Sequence, residues 1–330
     1  MQVVVLAGGI GSRLQPWTFD IPKPILPMLD KTLIEHVIQN VPSDIMTELI
    51  VAGGYKINQI KDYFEKMKPD FKVTIVPEDE PLGTGGALGN CREYINDRFL
   101  CFNGDVISSL NTSKMLELHE KSNALGTLGL WKVEDPTRFG IVGIDEQYQI
   151  QQFKEKPKQH EVFSHLINAG SYIFEKEIFD YMPVGKHSLE RDVFPKLATE
   201  KKLFGFPFEG FFIDAGTSES WIDAVKNCLN IESFQNGIMK NGSWYEGQIV
   251  HADASMICKG VQSQGNIESS SVLENAIIEK GVTIRDCLIG KGAQIKQGAT
   301  LTNVIVDHGA VVPENHIQHG GKILNAHRTQ

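Results

Sequence analysis

The run Val3-Val4-Val5-Leu6-Ala7-Gly8-Gly9-Ile10-Gly11-Ser12-Arg13-Leu14-Gln15-Pro16 passes from a β-branched apolar stretch straight into a glycine cluster. Val3–Leu6 reads as a buried strand, being short, β-branched and ended by glycine. Glycines just past a strand let the backbone approach a ligand closely and turn its N–H groups toward phosphate oxygens. A dinucleotide fingerprint would need a third glycine where Leu14 stands and a helix where Pro16 stands, and no G-x-x-x-x-G-K-[ST] string is present. Two readings stay open at this point. One is a tight turn with a solvated Arg13; the other is an anion-holding loop served by Arg13 and by Lys23, which is fixed between Pro22 and Pro24.

Downstream, Glu48–Val51, Lys72–Val76 and Phe99–Phe102 repeat the strand pattern of the first run. Leu33–Asn40, Ile57–Lys66 and Ala87–Tyr94 carry apolar residues at helical spacing. Strands alternating with helices predict a mostly parallel α/β sheet covered on both faces. In such sheets ligands bind beyond the carboxyl ends of the strands.

Near residue 236 the chain changes character. Of its 28 aromatic residues only Trp244 and Tyr245 follow, and of its 14 prolines only Pro313. That segment holds equal numbers of acidic and basic residues, so the net charge of −9 belongs to the first part. Apolar residues now recur every six positions: Val272, Ile278, Ile284; Ile289, Ile295, Leu301; then Ile305, Val311, Ile317, Ile323. A hexapeptide period is the signature of a β-helix; regular short strands of an antiparallel sandwich are the alternative. Slips of five residues at 284–289 and of four at 301–305 are expected to be corners or inserted turns. The boundaries expected are 1–236 and 237–330.

The 330 residues suit about two domains. With 41% apolar and 22% charged residues, the composition is that of a folded globular chain. There is no apolar run of about 20 residues, so no membrane span is expected, and the start lacks the basic region of a signal peptide. The acidic total argues against nucleic-acid binding through bulk charge. Five cysteines without CxxC spacing read as reduced thiols of a cytoplasmic protein. His308, His316 and His319 are spread along the repeat and read as coil-turn residues, not as a metal site.

The longer segment from Leu6 to Pro24, L-A-G-G-I-G-S-R-L-Q-P-W-T-F-D-I-P-K-P, is more specific than its glycines. It resembles the opening signature of the sugar-phosphate nucleotidylyltransferases, L-A-G-G-x-G-[ST]-R-L-x-P-[LM]-T followed by P-K-P. The resemblance implies that Leu6, Ala7, Gly8, Gly9, Gly11 and Ser12 line the nucleotide, with Arg13 and Lys23 on the triphosphate and the departing pyrophosphate. Trp17 stands where the family usually has Leu or Met, beside these contacts.

Further motifs extend the resemblance. Pro77-Glu78-Asp79-Glu80-Pro81-Leu82-Gly83-Thr84-Gly85-Gly86-Ala87 looks like the family's base-binding loop, which makes Glu78, Gly83 and Thr84 nucleotide-binding positions. Glu78 matches a Gln that pairs with pyrimidines in thymidylyl and uridylyl members. A carboxylate only accepts hydrogen bonds, which suits the adjacent N1–H and N2–H₂ donors of guanine, and the wording E-P-L-G-T-x-G-A-L is similar to that of mannose-1-phosphate guanylyltransferases. Asn103-Gly104-Asp105 and Phe212-Ile213-Asp214-Ala215-Gly216-Thr217 resemble the two metal-binding aspartate motifs, so Asp105 and Asp214 are the expected Mg2+ ligands. A carboxylate just past a strand is otherwise a turn former. Phe153-Lys154-Glu155-Lys156-Pro157, Asn168-Ala169-Gly170-Ser171-Tyr172 and Phe139-Gly140 resemble the sugar-phosphate site. They make Gly140, Glu155, Lys156, Asn168 and Gly170 its residues. Ser188–Pro195 resembles a segment closing that pocket.

What the resemblance implies as a whole is a Rossmann-like, GT-A-like mixed sheet followed by a short left-handed β-helix. The implied enzyme joins a nucleoside triphosphate to a sugar 1-phosphate and releases pyrophosphate, with Arg13, Lys23 and Lys156 as its catalytic cations. GTP with mannose 1-phosphate is the expected pair, and a glucose-1-phosphate thymidylyl- or uridylyltransferase is the alternative. A non-catalytic regulatory subunit of such an enzyme should lack one of the charged positions, and none is missing. An acyltransferase would need a catalytic histidine and a longer β-helix. The β-helix is expected to serve assembly into a homo-oligomer.

Overall fold

The structure, a computed structural model, describes residues 1–230 and 234–328. It forms two compact units, Met1–Gly9 with Ile34–Phe212, and Ile10–Leu33 with Ile213–Gln330.

The first unit is built on a nine-stranded sheet. Gln2–Leu6 lies at its centre, parallel to Glu48–Gly53 on one side and to Phe99–Asn103 on the other, with Val4 opposite both Ile50 and Cys101. Lys72–Pro77 extends the parallel part at one edge. On the opposite side Leu166–Phe174 runs antiparallel to Phe99–Asn103 and carries Gly126–Lys132 and Gly140–Ile144. The central strands are Val-, Ile- and Leu-rich because both their faces are covered, and Val3, Val4, Val5, Leu49, Ile50 and Val51 are fully buried.

All four expected strands form. Helix Ile57–Met67 turns Ile60 and Phe64 inward from an otherwise polar surface. Helix Thr112–Ser122 is capped by Asn111, whose side chain accepts the Lys114 N–H at 2.9 Å. The helix expected over Ala87–Tyr94 instead spans Gly83–Asn90, with a 3-10 turn over Arg92–Tyr94. Periodicity missed its first turn because Gly83–Gly86 carry no apolar side chain. Those four residues are helical because the backbone N–H groups of Gly85 and Gly86 both donate to the His187 carbonyl, at 3.1 and 3.2 Å.

In the second unit, three parallel ladders wind Ser243–Ile323 into a left-handed parallel β-helix. Successive coils are in register: Ser271 faces Leu288, Leu288 faces Ile305, and Ile305 faces Lys322. Left-handed backbone at Asn275, Gly292 and Gly309 recurs at one corner of each coil. Asp286 and Asn303 do the same at another, where polar side chains tolerate this conformation best.

The third apolar series needs correction. Val311 and Ile317 are 53% and 67% exposed, while Val306 and Val312 are fully buried. The slip is therefore five residues at each turn, Ile284 to Ile289 and Leu301 to Val306. The doublets Ile305-Val306 and Val311-Val312 hid the true phase, since either member fits a hydropathy pattern. Gln318 takes the next inward place, with its amide donating to the Gly320 carbonyl at 2.9 Å, and Ile323, stacked on Val306, packs half-buried against the core after it.

A polar ladder runs up one corner of the coils. The hydroxyl of Ser255 accepts the Ser270 N–H, Ser270 accepts the Cys287 N–H, both at 3.0 Å, and the Cys287 sulfur accepts the Val304 N–H at 3.4 Å. All five cysteines are buried free thiols. Among the described residues no helix is long and apolar enough to cross a membrane.

Candidate active site

In the first unit the carboxyl ends of the parallel strands draw Leu6, Ala7, Gly8 and Glu78 of the predicted nucleotide residues together. The Ala7 N–H donates to the Ala52 carbonyl at 2.7 Å, the Glu78 N–H to Gly53 at 2.9 Å, and the Gly104 N–H to Leu6 at 2.9 Å. These bonds knit Leu6–Gly8, Glu78 and the turn bearing Asp105 into one rim, as expected where parallel strands end. Gly53, absent from the sequence reading, belongs to it; an Ala-Gly-Gly string directly after a strand was its signal.

Glu78 is buried, and its carboxylate lies against the glycine loop: a Cβ on Gly8 would stand 3.0 Å from Oε2. Any side chain at Gly8 would intrude on this carboxylate. Burial pushes the Glu78 carboxyl above its ordinary range, and the Leu82 N–H, hydrogen-bonded to it, pulls partly back. Its Oε1 is buried without a protein hydrogen-bond partner, which leaves an acceptor for a ligand's donor.

Gly83 opens the helix with φ +76°. The Thr84 hydroxyl is engaged within the protein. It donates to Glu190 Oε2 at 2.6 Å and accepts the Leu189 N–H at 3.0 Å. Ser188 donates to the same Glu190 oxygen at 2.6 Å. Thr84 thus joins the helix to the Ser188–Pro195 segment.

The expected sugar-phosphate residues also gather in this unit. Gly140 is the direct cross-strand partner of Glu155, and the Lys156 N–H donates to the Phe139 carbonyl at 2.9 Å. Lys156 takes a left-handed φ of +46° at the strand end, a conformation uncommon for a residue with a side chain. Its ammonium is exposed, 3.8 Å from Glu155 Oε1. Asn168 donates to the Tyr172 hydroxyl at 2.9 Å and accepts the Gly170 N–H at 3.2 Å. The register slips between Asn168 and Tyr172. Only glycine fits the apex of that bulge, since Gly170 has φ +64° and a Cβ there would meet the Asn103 amide at 2.6 Å.

Burial, then repulsion from Glu190, raises the Glu155 carboxyl, with Lys156 and Arg191 opposing. Glu190, expected from sequence only as part of the pocket-closing segment Ser188–Pro195, acquires specific partners here. It links Thr84 of the expected base loop to the field around Glu155, a partnership that the wording of the segment does not specify.

The second unit carries the remaining expected residues. Gly11 accepts the Thr18 hydroxyl at 2.9 Å and closes the turn that leads into the 3-10 helix Ser12–Leu14. Ser12 and Arg13 are exposed, whereas Lys23 is 93% buried in the Pro-Lys-Pro turn. Arg13 and Asp214 converge on Gly216: a Cβ there would lie 2.5 Å from the Arg13 guanidinium and 2.7 Å from Asp214 Oδ1. Each unit therefore presents one strand-end aspartate. Among the described residues no cluster of three or more His, Cys, Asp or Glu forms a self-sufficient metal cage.

A glycine loop, a buried acceptor at the strand ends, clustered carboxylates and a β-helical extension define an α/β transferase with a hexapeptide-repeat domain. The family model described as nucleotidyl transferase matches residues 2–231, and that described as GlmU-like, C-terminal hexapeptide matches 241–320. The chain belongs to the nucleotidyl transferase family. It is 31% identical to the mannose-1-phosphate guanylyltransferase of Mycobacterium tuberculosis, over 88% of this chain and 83% of that one. To the mannose-1-phosphate guanylyltransferase catalytic subunit beta of Dictyostelium discoideum it is 32% identical, over 78% and 73%. Among solved structures it resembles HddC from Yersinia pseudotuberculosis complexed with GMP-PN, with TM-score 0.58 and 32% identity over 69% of this chain and 99% of that one. A putative glucose-1-phosphate thymidylyltransferase from Bacillus anthracis gives TM-score 0.64 and 26% identity, over 71% and 98%.

Proposed function

We propose that the protein joins GTP to mannose 1-phosphate, forming GDP-mannose and pyrophosphate, with 1–236 as its catalytic domain and 237–330 as its β-helix domain. The observation that carries this reading is the buried Glu78 acceptor against Gly8. Guanine offers two adjacent donors to a carboxylate, whereas thymine and uracil offer one N–H between two acceptors that a carboxylate repels. The guanylyltransferase relatives and the GMP-PN complex support the same choice.

In this mechanism an oxygen of the sugar phosphate attacks the α-phosphorus of GTP, and the bond from that phosphorus to the β-phosphate bridging oxygen breaks. The nucleophile is already an anion, so no general base is required. Catalysis must come from positioning and from neutralising charge. Lys156 holds the attacking phosphate, Glu155 and Asn168 hold sugar hydroxyls, and Arg13 and Lys23 take the charge growing on pyrophosphate. Asp105 and Asp214 are each hard oxygen donors of the kind Mg2+ takes, and each would serve as a ligand to it. Bound there, Mg2+ would neutralise phosphate charge during transfer.

Five free, buried cysteines support a cytoplasmic site of work. Val311 and Ile317, exposed on two different faces of the last coils, are the apolar side chains that a homo-oligomer formed through the β-helix would cover. Light scattering that returns the monomer mass would remove that part of the reading. The deciding experiment is a matrix of four nucleoside triphosphates against several sugar 1-phosphates, scored by pyrophosphate release with Mg2+ present. GTP with mannose 1-phosphate should be fastest; preference for UTP or dTTP overturns the role given to Glu78.

A further inference from the structure

Trp17 is fully buried within the second unit. Its indole N–H donates to the Val306 carbonyl at 3.1 Å, its ring stacks on His308 at 21° between planes, and Trp221 meets it edge-on. His308 accepts the Lys291 N–H on Nδ1 at 2.9 Å, so its proton sits on Nε2, which points back to the Trp17 carbonyl at 3.4 Å. Burial lowers the His308 pKa, against a smaller opposite pull from Asp20, and favours this neutral ring.

A second tie lies beside the first. Arg328 grips the fully buried Asp307 through Nε and Nη2, donates to Asp20, and lays its guanidinium over the Phe19 ring, 4.9 Å from the centroid. Asp307 also accepts the backbone N–H groups of His308 and Asn325, at 2.8 and 3.1 Å, so the carboxylate is locked before the arginine reaches it. Trp17, Phe19 and Asp20 lie between Arg13 and Lys23 in sequence. They are thus held at two points by residues about 290 to 310 positions away.

We infer that the last coils of the β-helix are the seat of the Arg13–Lys23 loop, with Trp17 and Arg328 as positioning residues for the two cations that act on the triphosphate. The inference rests on the phosphate roles proposed above for Arg13 and Lys23. A leucine or methionine at position 17 would fill volume but could neither donate to a coil carbonyl nor stack on an imidazole. Trp17 therefore does chemically what an apolar residue cannot. Arg328 supplies a planar fork that a lysine only partly replaces.

The test uses the full chain and four variants: Arg328→Ala, Arg328→Lys, Trp17→Phe, and Lys322→Ala as an exposed control on the same coil. Hydrogen exchange without substrates should show amides of residues 10–24 losing about tenfold or more of their protection in Arg328→Ala and Trp17→Phe, while coil residues 266–301 keep theirs. In steady-state assays the same two variants should raise KM for GTP about tenfold and leave KM for mannose 1-phosphate unchanged, since only the triphosphate cations lose their support. Arg328→Lys should fall between Ala and wild type. A general loss of folded enzyme would lower Vmax without moving either KM. Unchanged exchange at 10–24 in both variants overturns the seating, and looser exchange with unchanged KM for GTP overturns the positioning role. If the wild type fails to use GTP and mannose 1-phosphate, the proposed function falls, and the exchange comparison still decides the seating.

Discussion

The carboxylate of Glu78 lies so close to Gly8 that a Cβ on the glycine would stand 3.0 Å from Oε2. The glycine loop after the first strand and the acid after the third therefore form one surface, and the smallest side chain on the first would disturb the second.

Glu78→Gln should lower kcat/KM for GTP by about tenfold or more, the loss of one charge-assisted hydrogen bond of roughly 1.5–3 kcal/mol. It should raise the relative rate with UTP and dTTP, because an amide can both donate and accept. Parallel assays with the three nucleotides check this, and an unaltered preference for GTP would assign base reading elsewhere.

Glu155 leads to a prediction in pH. Its carboxyl titrates above the ordinary range, from burial first and Glu190 second. As pH rises from the ordinary carboxylate value, the unfolded chain ionises before the folded one. The protonated form's contribution to stability is then lost through the raised value. Wild type should accordingly lose melting temperature relative to Glu155→Gln as pH increases across that interval. Over the same interval KM for the sugar phosphate should fall in wild type, as the carboxylate becomes a full acceptor, and stay flat in Glu155→Gln. Melting curves and KM at several pH values measure both; parallel pH profiles for the two proteins would contradict the assignment.

Asp105→Asn and Lys23→Met should each cut turnover by about a hundredfold or more, the scale of removing one group aimed at transition-state charge. Circular dichroism should show both proteins folded. Methionine keeps an apolar stem in the buried Lys23 site and limits damage to packing. Near wild-type rates in either variant would exclude that residue from the reaction.

In the coils, Cys287 occupies the same ladder as Ser255 and Ser270. Cys287→Ser should leave the melting temperature nearly unchanged. Cys287→Val should cost about 1–3 kcal/mol by orphaning the Val304 N–H. Burial pushes the Cys287 thiol up to about 11, so it should resist alkylating reagents at pH 8 until the chain unfolds. Equal melting of the serine and valine variants, or rapid labelling of the folded protein, would contradict the ladder role.

Much of this protein is written locally. Strand runs such as Val3–Leu6 and Phe99–Phe102, the glycine loop, the strand-end aspartates and the six-residue period are short-range patterns, and backbone sterics and burial act on them directly. Their order along the chain was sufficient to suggest the fold class and the family resemblance. The β-helix phase at Ile305-Val306 was not legible, because two adjacent apolar residues fit either face until stacking on Ile289 selects one. Nor was the helix at Gly83–Gly86, whose cap comes from His187.

Tertiary structure alone decided the partnerships. Glu190 meets Thr84 and influences Glu155 only because three distant segments pack together. Trp17 read as a bystander beside the phosphate contacts, yet its indole and the Arg328 fork tie that loop to the final coils. A hydrogen bond spanning nearly 300 residues leaves no periodic trace in sequence, since its donor and acceptor are ordinary groups until folding removes water from both.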